Sequence, residues 1–492
     1  MTDKLTISKI SEVYVKIHCE KWMAQELTDY FQFKVENAHF IPAVKNGYWD
    51  GYIRLFNYGN QNIYYGLVPY IEKFAADRDY EITYEGLQGN AEFSASEAVD
   101  FVNSLRLAKI PRDYQYKAFV DCVRERRQLL LSPTASGKSL IIYLLLRYYD
   151  KKALVIVPTT SLVHQMSTDF LEYSKGEYET HLIMAGKDKD APQQTYITTW
   201  QSAYKMPKAY FDQFDVVIGD EAHLFKAKSL TSILEKMTDV TNRFGLTGTL
   251  DGSETHKLVL EGLFGRVNKV ISTKELIDQG HIAELKIKAI VLQYPDALKA
   301  ENKKHKYQEE MDFLTSYEPR NRFLRNLALS LKGNTLLLFQ FVEKHGKILF
   351  DDIQAHTAKG RKVFFVHGGT DAETRESIRA ITEMESDAII VASYGTFSTG
   401  INIVNLHNLI LASPSKSRIR NLQSLGRSLR RSDTKTQAVL FDIADDLSYK
   451  TKRNYTLNHF LERIKIYSGE KLSYRLYKVE LNERSDRSNS LF

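Results

Sequence analysis

The residues with the most specific chemistry in the chain form a short polar loop, Ser132-Pro-Thr-Ala-Ser-Gly-Lys-Ser139. An apolar run, Leu129–Leu131, precedes this loop, and a longer apolar run, Leu140–Leu146, follows it. These runs predict a buried strand and a buried helix. Backbone N–H groups at the start of a helix bind anions, because the helix dipole favours negative charge there. The pattern therefore predicts a loop that binds the phosphates of a nucleotide.

The side chains of the loop fit the binding of a nucleoside triphosphate together with Mg²⁺. Lys138 is expected to neutralise the β- and γ-phosphates, and the hydroxyl of Ser139 is expected to bind the metal ion. The predicted nucleotide-binding residues of the loop are Thr134, Ala135, Ser136, Gly137, Lys138 and Ser139. The loop departs from the general pattern at one position, because Ser132 occupies the place of the first glycine. An ordinary polar turn before a helix is the alternative reading of this loop alone.

Two adjacent carboxylates further along the chain complete the predicted chemistry. The β-rich run Asp215–Gly219 predicts a buried strand that ends at Asp220, and Glu221 follows directly. Parallel sheets bind ligands at the carboxyl ends of their strands, so Asp220 is expected to reach Mg²⁺. Glu221 is then placed to polarise the water that attacks the γ-phosphate. Acidic pairs are common on surfaces, but a pair after a buried strand and downstream of a Gly-Lys-Ser loop predicts ATP hydrolysis.

A series of segments resembles the motifs of one enzyme family, in the order of that family. Asp220-Glu-Ala-His223 is a DEAH box, and the chain from Arg112 to Arg431 resembles the superfamily 2 helicases. The other matching segments are Arg112-Asp-Tyr-Gln115, Val157–Gln165, Ile197–Ser202, Leu246–Thr249, Ala392–Asn402 and Gln423–Arg431. The resemblance implies an ATP-dependent motor in which Arg112 and Gln115 bind the adenine side of the nucleotide.

The same resemblance implies roles for residues outside the two central motifs. Gln423, Arg427 and Arg430 are implied to act catalytically, since an arginine fork stabilises charge that develops on the γ-phosphate. Gly400 is implied to contact the nucleotide. The implied coupling residues are His223, Thr247 and Thr249, and the implied nucleic-acid contacts are Thr159, Thr160, Thr198, Thr199, Phe339, Gln340, Ser393 and Thr396. Hydroxyls of this kind bind phosphate without reading sequence, although helix caps and turns use the same residues.

A closer resemblance extends beyond the general motifs. The segments Asn46–Leu55, Val157–Thr160, Glu284–Lys288 and Ala392–Ile401 are similar to the UvsW family of phage recombination helicases. Members of that family act on branched DNA, by Holliday junction branch migration, fork regression and R-loop unwinding. The resemblance implies the same role in phage recombination, repair and replication. It also implies action in the cytoplasm of a bacterial host, with a single-strand-binding protein as a candidate partner.

The length of 492 residues exceeds that of one compact domain. We predict an α/β protein with two tandem RecA-like parallel-sheet domains, because short strands and helices alternate twice. The predicted domains are a small α+β domain at 1–105, motor domains at 106–282 and 283–446, and a basic extension at 447–492. The predicted strands are 128–131, 153–157, 196–198, 216–219 and 244–247 in the first motor domain, and 335–339, 362–366, 388–391, 409–412 and 438–441 in the second. Both parts of the ATP site lie in one chain, so a monomer suffices.

Composition excludes some classes of protein. No apolar run approaches the roughly 20 residues that span a bilayer, and the first residues lack the form of a signal peptide. Cys19 and Cys122 have no metal-ligand spacing, which favours reduced, structural thiols. Residues 1–100 hold 9 Lys and Arg against 15 Asp and Glu, and the whole chain carries +6, so the remainder carries +12. The motor part therefore has the positive charge expected of a protein that binds a phosphate backbone.

Three functions fit the sequence to different degrees. A DNA-dependent ATPase that remodels branched DNA fits both the motor motifs and the N-terminal resemblance. An RNA helicase or the translocating subunit of a restriction system would use the same motor. A binding module with an inactive ATP site is disfavoured, because Lys138, Asp220, Glu221, Arg427 and Arg430 are all present.

Overall fold

The computed structural model describes residues 3–35, 38–87, 89–183, 191–226, 228–250, 253–396, 403, 405–413 and 437–481. The chain divides into two compact units. The first comprises Met1–Ser132 and Gly137–Ile271, and the second comprises Ser272–Phe492 together with Pro133–Ser136. Among the helices of the described ranges, none is long and apolar enough to cross a membrane.

The first unit begins with a small sheet of four strands in the order β5-β2-β1-β6. Its elements are β1 (Lys4–Lys9), β2 (Tyr14–His18), α1 (Lys21–Tyr30), β3 (Gln32–Lys34), α2 (Pro42–Lys45), β4 (Tyr52–Arg54), β5 (Asn62–Tyr64), α3 (Val68–Ala76), β6 (Glu81–Glu85) and α4 (Ala95–Ser104). Alternate residues of β1 and β2, namely Leu5, Ile7, Val15 and Ile17, are fully buried. They form one core with apolar residues of α1 and α3, because successive side chains of a strand point to opposite faces.

The rest of the first unit is a seven-stranded sheet in the order β13-β7-β12-β11-β8-β10-β9. Its elements are α5 (Asp113–Glu125), β7 (Arg127–Leu131), α6 (Lys138–Tyr149), β8 (Ala153–Val157), α7 (Thr160–Tyr173), β9 (His181–Ile183), β10 (Thr195–Thr199), α8 (Trp200–Tyr204), α9 (Lys208–Phe211), β11 (Val216–Asp220), α10 (Lys228–Lys236), β12 (Asn242–Thr247), α11 (Glu254–Phe264) and β13 (Val267–Lys269). Every strand pair is parallel. All residues of β8, β10, β11 and β12 are buried, as expected of a parallel sheet covered on both faces.

The second unit is built on another seven-stranded parallel sheet, in the order β16-β17-β15-β18-β19-β14-β20. Its elements are α12 (Thr273–Asp278), β14 (Glu284–Gln293), α13 (Asp296–Asn302), α14 (Tyr307–Ser316), α15 (Glu318–Ser330), β15 (Thr335–Phe339), α16 (Lys347–His356), β16 (Val363–Val366), α17 (Ala372–Met384), β17 (Ile389–Ser393), β18 (Asn408–Leu411), β19 (Gln437–Asp446), α18 (Tyr455–Gly469) and β20 (Tyr474–Glu480). The two parallel sheets confirm the predicted tandem α/β architecture.

The C-terminal segment forms part of the second sheet. Strand β20 pairs in parallel with β14 and becomes the edge of the sheet. Helix α18 is fixed to β19 by Arg463, whose guanidinium donates to both carboxylate oxygens of Asp442 at 2.9 Å. The hydroxyl of Tyr467 donates to the same carboxylate at 2.7 Å. All three side chains are buried, so this segment is integral to the fold of the unit.

Candidate active site

The phosphate loop lies between β7 and α6, at the carboxyl edge of the first parallel sheet. Leu131 of β7 is paired with Thr247 of β12, and Ser132 N donates to Thr247 O at 2.9 Å. Ser132, which departs from the glycine of the general pattern, is fully buried. The ammonium of Lys138 donates to Ser132 O at 3.3 Å and forms no ion pair with a described residue. The cation is therefore held at the loop by a backbone oxygen, without an ion pair among the described residues.

The backbone of the loop needs glycine at position 137. Gly137 has a φ of 77°, and a Cβ there would lie 2.4 Å from Gln115 Nε2. That nitrogen donates to Gly137 O at 3.1 Å, while Gln115 Oε1 accepts from Arg112 N at 2.8 Å. The structure thus places Gln115 against the loop, where it links the start of α5 to the backbone. Ala135 also has a positive φ, of 68°, which non-glycine residues adopt only rarely.

The hydroxyl groups at the start of α6 are held by the surrounding chain. Ser139 Oγ lies 2.8 Å from the hydroxyl of Tyr173, at the end of α7. Burial raises the pKa of Tyr173 to about 12, so this phenol stays protonated and able to donate at neutral pH. Ser136 Oγ donates to Pro133 O at 2.6 Å. Tyr173 therefore orients the hydroxyl that is predicted to bind Mg²⁺, and no sequence motif indicated it.

The predicted metal-binding carboxylate lies at the end of β11. Asp220 is paired with Leu246 of the neighbouring strand and is about nine-tenths buried. Burial, followed by the charge of Glu221, raises the pKa of Asp220 to about 6, and the charge of Lys138 opposes this shift. Asp220 Oδ1 is buried and has no hydrogen-bond partner in the described ranges. An orphaned carboxylate oxygen beside a cation fits a site that holds Mg²⁺ and a nucleotide phosphate.

The residues predicted to couple hydrolysis to movement form one hydrogen-bonded chain. His223 Nδ1 lies 3.3 Å from Glu221 Oε2 and 2.9 Å from Thr247 Oγ1. Thr247 Oγ1 in turn donates to Thr249 O at 3.0 Å. Because this hydroxyl has a single proton, His223 Nδ1 must be the donor to Thr247. The chain connects Glu221 to the Leu246–Thr249 segment.

A second histidine supports this chain and was missed by sequence reasoning. His256 Nε2 lies 3.0 Å from the backbone oxygen of His223, and the side chain is buried. A carbonyl can only accept, so Nε2 carries the proton. His256 stands on α11, outside every segment that resembles a helicase motif. Glu221 itself has a positive φ of 51°, an uncommon backbone conformation at the predicted catalytic position.

The predicted nucleic-acid contacts of the first unit differ in their exposure. Thr159 caps α7, because its Oγ1 accepts from Leu162 N at 3.4 Å, and Thr160 is exposed. Thr198 is buried and donates to backbone oxygens, and Thr199 is buried and lies 3.3 Å from Ser202 Oγ. Thr159 and Thr199 lie at the ends of the neighbouring strands β8 and β10. Contact with DNA stays a prediction for all four residues.

The corresponding residues of the second unit lie at the carboxyl edge of its sheet. Phe339 ends β15 and is fully buried, and Gln340 N donates to Ser413 Oγ at 3.2 Å. Ser393 Oγ lies 2.8 Å from Thr396 Oγ1, and both side chains are buried. These positions suit backbone rather than side-chain contacts. Gly400, Gln423, Arg427 and Arg430 lie outside the described residues, so their predicted roles stay predictions.

Comparisons with protein families match most of the chain. Residues 4–85 match a family described as "DNA helicase UvsW, N-terminal". Residues 108–252 match "Type III restriction enzyme, res subunit", and residues 319–432 match "Helicase conserved C-terminal domain". The three matches follow the small N-terminal sheet and the two parallel sheets in order.

Individual relatives agree with these family matches. The chain is 36% identical to the ATP-dependent DNA helicase uvsW of Enterobacteria phage T4, over 95% of this chain and 98% of that protein. It is 24% identical to the DNA 3'-5' translocase XPB2 of Sulfurisphaera tokodaii, over 68% and 81% of the two chains. The crystal structure of T4 UvsW superposes with a TM-score of 0.51 at 34% identity, covering 97% of this chain and all of that one. A type I restriction subunit fragment from Vibrio vulnificus, at 17% identity and a TM-score of 0.56, shares the fold.

Proposed function

Because the chain belongs to the UvsW family of ATP-dependent DNA helicases, we propose that it uses ATP hydrolysis to remodel branched DNA. The substrates we propose are Holliday junctions, replication forks and R-loops, in phage recombination, repair and replication. The observation that carries the proposal is the match over the whole length, which includes the N-terminal 4–85 as well as the motor. A general helicase motor would not account for the N-terminal match.

The first unit supplies the groups that hydrolysis requires. We propose that Lys138 binds the phosphates, that Ser139 and Asp220 bind Mg²⁺, and that Glu221 orients the attacking water. When bound, MgATP supplies the phosphoanhydride bond whose cleavage drives movement. Tyr173 holds the Ser139 hydroxyl. A cation beside Asp220 would favour the charged form of its carboxylate, which burial disfavours. Arg427 and Arg430 are proposed to stabilise the charge that develops on the γ-phosphate.

Hydrolysis is proposed to reach the DNA-binding residues through the hydrogen-bonded chain that begins at Glu221. His223 Nδ1 is within reach of both the Glu221 carboxylate, at 3.3 Å, and the Thr247 hydroxyl, at 2.9 Å, so the two oxygens compete for one N–H donor. A change at the γ-phosphate that moves Glu221 would break or re-form the bond between His223 and Thr247. The Leu246–Thr249 segment would then shift, because Thr247 also holds the Thr249 backbone. We propose that the segment acts as a two-state element, whose arrangement depends on which oxygen the His223 N–H binds.

The finer parts of the proposal concern the surroundings of the enzyme. We propose that it works as a monomer in the cytoplasm of a bacterial host, and that a single-strand-binding protein is a partner. An RNA substrate is the alternative. The motor motifs are compatible with RNA, whereas the N-terminal match favours DNA.

The experiment that tests the proposal compares a mobile Holliday junction with a simple tailed duplex. Both substrates are incubated with ATP and Mg²⁺, and products are separated on a native gel. Lys138→Ala is the control, since it removes the phosphate-binding cation. We expect wild-type protein to convert the junction into forked products and Lys138→Ala to be inactive.

Two outcomes would contradict the proposal. Separation of the tailed duplex with an untouched junction would make the protein a conventional unwinding helicase, and RNA strands would then be tested. Full ATPase activity in Lys138→Ala would show that the assigned site does not hydrolyse ATP.

A further inference from the structure

Two basic segments that are distant in sequence meet on the second unit. The segment Lys303-Lys-His-Lys306 joins α13 to α14, and the segment Lys450-Thr-Lys-Arg453 lies between β19 and α18. The ammonium of Lys452 donates to Lys303 O at 3.0 Å. The fold thus brings six Lys and Arg side chains, and His305, into one surface. We call this surface the basic cleft.

The cations of the basic cleft stand on ordered backbone. Tyr449 and Lys452 form a tight bridge in which each N–H donates to the other residue's carbonyl, at 3.0 and 3.1 Å. The ammonium groups of Lys303 and Lys450 lie 5.1 and 5.7 Å from the centroid of the Tyr449 ring. Cation–π contacts of this kind fix the directions of long side chains. Three of the six cations, those of Lys303, Lys450 and Lys452, are therefore held by contacts within the cleft.

The buried carboxylate of Glu310 fixes the start of α18, which directly follows the Lys450–Arg453 segment. Glu310 of α14 accepts from Tyr455 N at 2.9 Å and from Thr456 N at 2.7 Å, at the start of α18. It also accepts from Asn454 Nδ2 and Thr456 Oγ1, at 2.9 and 2.7 Å. These four hydrogen bonds occupy both oxygens of a side chain that is almost fully buried. Glu310 therefore organises the cleft, and its carboxylate forms no ion pair with the exposed cations of the described residues.

The positive charge of the cleft is not neutralised within the described part of the chain. None of the six Lys and Arg side chains forms an ion pair with a described residue. Of the carboxylates nearby, Glu309 accepts from Lys306 N, and Asp446 accepts from Ser448 N and Gln293 Nε2. Like charges at short range repel one another, so six uncompensated cations on a fixed surface favour an anionic partner.

The space between the segments is a small cleft of about 20 Å³. Its lining includes Asn302, Lys303, His305, Lys452 and Arg453, together with Glu310, whose carboxylate is occupied by the hydrogen bonds described above. Asn302 Oδ1 and His305 Nδ1 are buried atoms that have no hydrogen-bond partner in the described ranges. The exposed cations at the rim of this cleft can bind the oxygens of a phosphate that lies on the surface.

We propose that the basic cleft is a second DNA-binding surface, which contacts backbone phosphates away from the motif residues at the sheet edges. The proposal rests on the function proposed above, since it assigns part of the same DNA to this surface. The contacts are phosphate contacts, so the surface binds DNA of any sequence. Tyr455, which is 42% exposed beside the cleft, can stack on an unpaired base.

The experiment removes three of these charges and measures the salt dependence of binding. The variant carries Lys303→Gln, Lys450→Gln and Arg453→Gln. The matched control carries Lys332→Gln, Lys347→Gln and Lys359→Gln, three exposed lysines of the same unit that form no ion pair with a described residue. Fluorescence anisotropy with a labelled four-way junction and a labelled duplex is recorded over a series of salt concentrations without ATP.

We expect the slope of log affinity against log salt to fall by about 2 to 3 in the cleft variant, since each lost phosphate contact removes about 0.9. Affinity at moderate salt should fall by roughly tenfold or more. The control variant should match wild type, and ATPase activity without DNA should be unchanged in both. Equal slopes for both variants would overturn the proposal. A cleft variant that keeps its DNA slope but no longer binds polyglutamate would also overturn it, in favour of an acidic protein partner.

The two proposals fail in different ways. If wild-type protein leaves the junction unprocessed, the proposed function fails whatever the salt slopes are. If wild type processes the junction and the cleft variant has the slope of its control, only the proposed surface fails. Unchanged circular dichroism of the cleft variant ensures that a lower slope reports lost contacts.

Discussion

At the scale of single residues, the candidate active site holds buried charge that has few hydrogen-bond partners among the described residues. Asp220 Oδ1 is buried without a partner in the described ranges, and Lys138 meets only a backbone oxygen there. Burying an unpaired charge destabilises a protein, and such groups persist where function requires them. We therefore expect these groups to serve ATP binding at the expense of stability.

The cost of burying the Asp220 charge predicts that Asp220→Asn stabilises the protein at neutral pH in the absence of nucleotide and metal. The folded protein raises the pKa of Asp220 from its ordinary value of 3.8 to about 6. The folded state thus favours the protonated carboxyl, and that stability is fully present below about pH 4 and is lost as the pH rises through about 6. Asparagine keeps the shape and removes the charge. We expect the free energy of unfolding to increase by about 1 to 3 kcal/mol at neutral pH.

The measurement is urea denaturation in the presence of a metal chelator, at several pH values. The difference between Asp220→Asn and wild type should shrink as the pH falls from about 6 to about 4. Asp239→Asn, on an exposed residue of the same unit, is the control and should show no such dependence. A destabilised Asp220→Asn protein at neutral pH would contradict this account, and loss of ATPase activity alone would not support it.

At the scale of elements, the ten strands predicted for the two motor domains are all present. Each predicted run, such as 153–157 or 335–339, falls within an observed strand or within one residue of it. These strands were predictable because buried parallel strands are continuous apolar runs. The phosphate loop and the Asp220–Glu221 pair were predictable for the same reason, since each follows such a run directly.

Other elements could not be predicted because their patterns are not local. Strand β20 has mostly exposed or half-exposed side chains and exists because β14 offers an edge. The two short edge strands β9 and β13 have three residues each, which is too short for a periodic signal. The role of Gln115 against Gly137, and the contact of Tyr173 with Ser139, join residues that are 22 and 34 positions apart. Spacing alone does not indicate such pairs.

Helix α18 illustrates how a non-local contact determines the stability of an element. We predict that Arg463→Met destabilises the second unit by about 3 to 5 kcal/mol, because it leaves the buried carboxylate of Asp442 without its cation. Among the described residues, Tyr467 would remain as a donor to that carboxylate. The free energy of unfolding, from chemical denaturation, is the quantity to compare.

Lys465→Met is the matched control for this change. Lys465 lies two residues further on the same helix, is 71% exposed at its side chain and, among the described residues, pairs with exposed Glu462. Its loss should change stability by less than about 0.5 kcal/mol. Equal effects of the two substitutions would show that the buried pair does not hold the helix to the sheet.

At the scale of the whole molecule, the N-terminal sheet is joined to the first motor domain through buried polar contacts. Glu12 Oε2 accepts from Arg127 Nη2 at 2.7 Å, and Glu12 O accepts from Arg243 Nη1 at 3.3 Å. Burial and the charge of Arg127 lower the pKa of Arg243 to about 9, while Glu12 opposes this shift. One of the acidic side chains of the N-terminal segment, that of Glu12, is thus buried in an ion pair and does not contribute to the surface charge.

Further contacts make the N-terminal sheet inseparable from the motor fold. Tyr64 donates to Glu235 at 2.7 Å, and Tyr70 donates to Glu261 at 2.6 Å. A Cβ on Gly66 would lie 2.0 Å from the backbone oxygen of Glu261. The backbone at Gly66 therefore packs directly against the backbone of α11, with no room for a side chain. Leu258 of the motor domain lies in the apolar core of the small sheet. The family-specific part of the chain is therefore held in a fixed position on the first motor domain.

Glu12→Gln tests whether the buried charge contributes to this attachment. Glutamine is nearly the same size but leaves Arg127 and Arg243 with less negative charge beside them. We expect the free energy of unfolding of the first unit to fall by about 2 to 4 kcal/mol, since removing one partner of a buried pair leaves the other unpaired. Thermal denaturation of the full chain would show the first transition several degrees lower.

Glu20→Gln, on an exposed residue of the same sheet domain, should leave that transition unchanged. Glu12 is not among the residues predicted to bind ATP. The DNA-independent ATPase activity of Glu12→Gln should therefore match wild type at temperatures well below the transition. If this activity is retained but junction processing falls, the fixed position of the N-terminal sheet is needed to direct the motor onto branched DNA. If the transition of Glu12→Gln coincides with that of Glu20→Gln, the apolar core and the Tyr–Glu hydrogen bonds hold the sheet in place without this charge.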